Sequence, residues 1–121
     1  MSYDPGNIFA RILRGELPSK KVYEDAHVLA FHDIRPLAPV HILVIPKGAY
    51  VSVDDFAEKA SAEEQAAVMR AIGKVARDAG LAESGYRVLS NIGAHGNQEV
   101  PHLHWHVFGG RPLGRMLPKA E

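Results

Sequence analysis

The chain has no cysteine. Disulfides, thiolate nucleophiles and cysteine-ligated metal centres are therefore excluded. It has no excess charge of either sign, since fourteen basic and fourteen acidic residues cancel. No broad electrostatic footprint for nucleic acid or an anionic membrane arises from that balance. No apolar run approaches the ~20 residues of a membrane helix. The first residues, Met1-Ser2-Tyr3-Asp4-Pro5-Gly6, lack the basic and long apolar regions of a secretory signal. These absences set the expectation of a cytoplasmic protein with no nucleic-acid and no membrane partner. What is present is 121 residues, 46% hydrophobic and 23% charged. That is enough for one domain with one core. The expected domain covers residues 1–121, with an irregular tail over 111–121 that carries Pro112, Gly114 and Pro118.

Periodicity and punctuation outline the elements. Asn7 is a candidate cap for a short helix, with Ile8, Phe9, Ile12 and Leu13 on one stripe before Gly15 stops it. Lys21–Glu24 and Val28–His32 read as strands around a turn at Asp25-Ala26. Pro36 and Pro39 stiffen the following connector. His41–Ile45 reads as a buried strand ended by Pro46. Ser61-Ala62-Glu63-Glu64 has the capping-box pattern. It predicts a helix to about Ala79, stopped by Gly80, with Val68, Ile72, Val75, Ala76 and Ala79 toward the core. Tyr86–Ile92 and His102–Phe108 read as the last two strands. Strands interrupted by one long helix indicate an α+β domain.

The densest chemistry lies in Pro101-His102-Leu103-His104-Trp105-His106-Val107-Phe108. On a strand, alternate side chains share a face, so three imidazoles would line one side, with Cα atoms roughly 6.5–7 Å apart. Leu103, Trp105 and Val107 would line the other, with Trp105 packed against a helix. No common structural need calls for such a row. Imidazole is a nucleophile, a proton carrier and a metal ligand near neutral pH. One reading of the residues alone is therefore a histidine-dependent metal hydrolase. The outer pair, roughly 13 Å apart, is too far for joint ligation, so a further ligand such as His41 would be needed.

The pattern His-φ-His-φ-His-φ-φ, where φ is apolar, resembles the signature of the histidine-triad family. Ile8-Phe9 with Ile12, Gly15-Glu16-Leu17-Pro18 and Tyr23-Glu24-Asp25 resemble the family's Hint branch. So do Ala30-Phe31-His32-Asp33-Ile34, Ala38-Pro39-Val40-His41, Val44-Ile45-Pro46-Lys47 and Gly85-Tyr86-Arg87. Asn91, Gly96-Asn97-Gln98 and Gly109-Gly110-Arg111-Pro112-Leu113-Gly114 continue the match. The resemblance implies an antiparallel sheet of about five strands with one long and one short helix, continued across a homodimer. It implies hydrolysis of purine nucleoside 5'-phosphoramidates, with no metal or other cofactor required. A dinucleoside polyphosphate hydrolase and a non-catalytic nucleotide-binding regulatory protein stand as alternatives.

Carried over residue by residue, the resemblance makes His104 the nucleophile, its second ring nitrogen held by an acceptor such as a backbone carbonyl. His106 is the phosphate-orienting group, and His102 forms a hydrogen-bond relay with His41. Asn91, Asn97, Gln98 and the loop Gly93-Ala94-His95-Gly96 cradle the phosphate, with Val100 alongside. Phe31 and Asp33 share parity, which sets an aromatic for the base beside a carboxylate for the ribose. Ile8, Phe9, Ile12 and Ile34 complete an apolar base pocket. Glu99 stands where many relatives have serine. Its readings are a general acid, a charge that favours basic leaving amines, and a solvent-facing side chain. Asn97 replaces a glycine common at that place.

Overall fold

Asn7 opens the first helix, α1 (Ile8–Leu13). Its side chain accepts from the Ala10 N–H at 2.9 Å, which satisfies a backbone donor that the helix itself leaves unpaired. Gly15, at φ +78°, lets the chain turn away. The computed structural model describes residues 1–119. In chain order the remaining elements are β1 (Lys21–Glu24), β2 (Val28–His32), β3 (Val40–Pro46), α2 (Val53–Lys59), α3 (Ala62–Asp78), β4 (Arg87–Leu89) and β5 (Trp105–Gly109). The β1–β2 turn is held by Asp25, whose carboxylate accepts from the N–H groups of His27 and Val28 at 2.7 and 2.9 Å. The strands form one antiparallel sheet in the order β1-β2-β3-β5-β4.

The two faces of the sheet do different work. Val28, Ala30, Ile42, Val44 and Val107 pack against Ala67, Val68, Ala71, Ile72, Val75 and Ala76 of α3. The α3 cap is reciprocal: Ser61 Oγ accepts from the Glu64 N–H, and the Glu64 carboxylate accepts from the Ser61 N–H. Trp105 sits on this face, its ring 6.0 Å from Phe56 of α2. The opposite face carries Leu29, Phe31, Leu43 and Ile45, covered by Phe9, with Ile12, Leu13 and Val100 around them. In the β3–β5 register Leu43 faces His106 and His41 faces Phe108. Cross-strand partners share a face, so the histidines lie on the lightly covered side.

The α+β class and the five-stranded sheet agree with expectation. Several elements differ. A third helix, α2, stands where none was expected, capped by Ser52, which accepts from the Asp55 N–H at 3.1 Å. The last strand starts at Trp105 rather than His102. The Leu103 N–H leaves the ladder for the Tyr50 carbonyl at 2.8 Å, so residues 102–104 are bent out of register. Strand β4 then has no ladder partner beyond Leu89 and is shorter than the expected Tyr86–Ile92. Residues 111–119 form no helix or strand; the remainder of the expected tail, Ala120 and Glu121, lies outside the described residues.

Candidate active site

Four histidines gather at the β3 and β5 ends of the open face, and their partners fix the tautomer of each. A carbonyl only accepts, so the 2.8 Å contact between His102 Nε2 and the Pro46 oxygen makes Nε2 the protonated nitrogen. His102 Nδ1 then accepts from the Tyr3 hydroxyl at 2.7 Å. By the same rule His104 Nδ1–H donates to the His102 carbonyl at 2.7 Å. This leaves a lone pair on His104 Nε2. No buried side-chain nitrogen or oxygen among the described residues lacks a partner. His104 Nε2, which makes no hydrogen bond to them, therefore reaches solvent.

His41 and His106 form the second half of the cluster. The Leu37 N–H donates to His41 Nδ1 at 3.1 Å, so His41 carries its proton on Nε2. That Nε2–H donates to His106 Nδ1 at 2.9 Å, which leaves a donor on His106 Nε2. Asp33 Oδ2 lies 3.5 Å from His41 Nε2. The expected relay between His102 and His41 is therefore replaced by a His41–His106 pair. The β3–β5 register puts His41 within reach of β5, whereas His102 sits beyond the strand start and turns to Pro46. Phe108 stacks parallel on His106 at 5.4 Å, and the rings of His104 and His106 are 5.1 Å apart.

Burial keeps the cluster neutral. It pushes His102 down from the ordinary histidine value near 6.5 to about 4, against the opposing hydrogen bond to Pro46. Burial, together with the repulsion that a protonated His104 or His41 would exert and against the pull of Asp33, takes His106 to about 4. His104 and His41 are also lowered by burial, opposed in His104 by the bond to the His102 carbonyl and in His41 by Asp33. A neutral imidazole at His104 is the nucleophilic form.

The other predicted site residues divide. Phe9 lies edge-on to His104 at 4.9 Å and to Phe31 at 5.6 Å. Ile12 and Val100 pack beside them. Asp33 keeps the parity of Phe31, because its N–H continues the ladder to the His41 carbonyl at 3.0 Å. Its Oδ1 accepts from the Arg35 N–H at 2.8 Å. Ile8 is 49% exposed and Ile34 is 86% exposed, so neither is enclosed within this chain. Gln98 braces the loop: its oxygen accepts from the Gly93 N–H at 2.9 Å, and its amide donates to the carbonyls of Val51 and Val100. The Gly93 N–H is thus already engaged. Asn97 holds φ +59°, a left-handed conformation that favours glycine and tolerates asparagine. A Cβ at Gly96 would collide with the Ile92 backbone. Asn91 is half-buried and Glu99 is exposed.

Two contributors were not foreseen. Ser90 Oγ–H donates to the His104 carbonyl at 2.6 Å, which ties the triad backbone to the residue just after β4. Tyr3 reaches His102 from 99 residues away. Neither has a local sequence signal, because each acts on a partner brought close only by the fold. Asp33, His41 and His106 also offer three ligand atoms within 4.8 Å of one another. In this arrangement His41 Nε2 carries the proton donated to His106, so ligation would require that hydrogen bond to open.

Comparison with known proteins decides the family, since the HIT domain matches residues 14–113. The chain belongs to the HIT family. A purine nucleoside phosphoramidase of Escherichia coli is 50% identical over 113 residues, covering 91% of this chain and 92% of that protein. An uncharacterised 13.2 kDa HIT-like protein of Azospirillum brasilense is 66% identical over 119 residues, 98% of each. A HIT family hydrolase from Clostridium thermocellum superposes with TM-score 0.86 at 42% identity, over 93% of this chain and 97% of that one. One from Legionella pneumophila gives 0.81 at 42% identity, over 88% and 94%. Among the described residues of this HIT protein, no helix is long and apolar enough to cross a membrane.

Proposed function

We propose that the chain hydrolyses the P–N bond of purine nucleoside 5'-phosphoramidates through a covalent nucleotidyl group on His104. The observation that carries this reading is the tautomer of His104: Nδ1–H is held by the His102 carbonyl and Nε2 is open. The Nε2 lone pair attacks the α-phosphorus, the P–N bond breaks, and the amine leaves with a proton taken from solvent water. A water molecule then attacks phosphorus and gives a proton back to solvent, the bond to His104 breaks, and the nucleoside monophosphate departs. His106 Nε2–H donates to a non-bridging oxygen as its charge grows. Asp33 accepts from the ribose hydroxyls, and Phe9, Phe31, Ile12 and Val100 face the base. The phosphoramidase relative supports the substrate class.

A homodimer is part of the same proposal. The outer edge of β4 is open in the sheet order, and Tyr86 and Val88 there are 43% and 38% exposed. The sheet continues through that edge into a second copy. The reaction is tested by AMP release from an adenosine phosphoramidate in EDTA, for wild type and His104→Ala. Release by wild type alone is expected. Release that EDTA abolishes would favour a metal-dependent reaction at Asp33, His41 and His106, and AMP binding without turnover would favour a nucleotide sensor.

A further inference from the structure

The segment before α1 folds back onto the histidine cluster, and it is built to do so. The Asp4 carbonyl accepts from both the backbone N–H and the side-chain amide of buried Asn7, at 3.1 and 2.7 Å. The Gly6 N–H donates to the Asp4 carboxylate at 2.8 Å, and Arg14 donates to the Pro5 carbonyl at 2.8 Å. These contacts hold the turn independently of the cluster and carry Tyr3 to His102. Its hydroxyl donates to His102 Nδ1 at 2.7 Å, with the rings 5.5 Å apart. His102 is fully buried, and its two ring nitrogens have one partner each, Tyr3 and Pro46. The same residue's backbone carbonyl takes the His104 Nδ1 proton.

Resting on the reaction proposed above, we propose that Tyr3 is a positioning residue for the nucleophile. Its hydroxyl locks the His102 ring, and through His102 it steadies the carbonyl that keeps the lone pair on His104 Nε2. Without the hydroxyl, His102 Nδ1 is a buried acceptor with no donor. The ring then turns away from Pro46, and the His102 carbonyl shifts from His104 Nδ1. A larger share of His104 carries its proton on Nε2 and is inert as a nucleophile.

The test is Tyr3→Phe in the full-length protein, which retains the ring and removes one oxygen. AMP release from an adenosine phosphoramidate gives kcat and KM, and long-range proton–nitrogen NMR reads the imidazole nitrogens. Ser61→Ala, at the distant α3 cap, serves as a stability control with the cluster intact. Loss of an orienting hydrogen bond is expected to lower kcat roughly tenfold, with KM and AMP affinity within about twofold. The His102 Nδ1 and His104 Nε2 signals are expected to move, while Ser61→Ala keeps the wild-type kcat and signals. An unchanged kcat in Tyr3→Phe, or a lowered kcat with unmoved nitrogen signals, would overturn the proposal. If wild type releases no AMP, the proposed reaction fails with it, while the nitrogen signals still decide whether Tyr3 holds the ring.

Discussion

At the scale of single residues, function rests on which ring nitrogen carries a proton. His104 has its Nδ1–H on a carbonyl and its Nε2 open, so in the proposed reaction removing the ring removes the nucleophile. His104→Ala is expected to lower kcat by at least about a thousandfold, in the range of lost catalytic nucleophiles. AMP binding by calorimetry is expected to persist. In the same proposal His41 acts through His106: its Nε2–H bond to His106 Nδ1 leaves the His106 proton on Nε2. His41→Ala is expected to lower kcat roughly tenfold to a hundredfold, with the thermal midpoint measured alongside to separate packing loss. Burial lowers His104 from its ordinary value. The acid limb of kcat/KM is therefore expected below pH 6.5, with activity held on the alkaline side of it. A limb above 6.5 would show that His104 is not the titrating nucleophile.

At the scale of elements, local signals were readable and long-range pairings were not. The Ser61–Glu64 box is spelled in four consecutive residues and forms as written. Ser61→Ala is expected to cost about 1 kcal/mol in chemical denaturation and to leave kcat unchanged. Helix α2 also carries a readable cap, Ser52 followed by Asp54 and Asp55, yet it is only 7 residues long and buries only Phe56. The segment just before β5 defeated the alternation argument. Three histidines at every second place imply one straight strand, but Leu103 takes the Tyr50 carbonyl and bends the segment. That bend lets a side chain reach backward, so His104 finds the carbonyl of His102 in its own chain. The expectation of a carbonyl partner for His104 was correct, while the expected partner of His41 was not. His41 and His106 share a face only through the β3–β5 register, which pairs His41 with Phe108 and Leu43 with His106 and so sets the two histidines diagonally across the ladder.

At the scale of the whole molecule, the neutral cluster ties stability to pH. His102 is fully buried and titrates at about 4 when folded, against about 6.5 when unfolded. Between those values the unfolded chain binds more protons, so stability falls as pH drops. The contribution is complete above pH 6.5 and is lost progressively toward pH 4. Its size is about 3 kcal/mol. Denaturation curves from pH 7.5 to 4.5 are expected to show that decline, and His102→Gln is expected to reduce it, the remainder coming from the other buried histidines of the cluster. The fold itself was legible through apolar patterning: β2 and β3 alternate between α3 and α1, and α3 presents one stripe. The proposed dimer, formed through the open β4 edge, is checked by a solution mass of twice the chain.

The most direct measurement is a single-turnover reaction with an adenosine phosphoramidate, quenched in alkali within milliseconds and read by intact mass and peptide mapping. One nucleotidyl group per chain is expected, located on His104, rising and decaying at rates consistent with AMP release. AMP released at full rate with no adduct on His104, or with the adduct on another residue, would contradict the assignment of His104 as nucleophile.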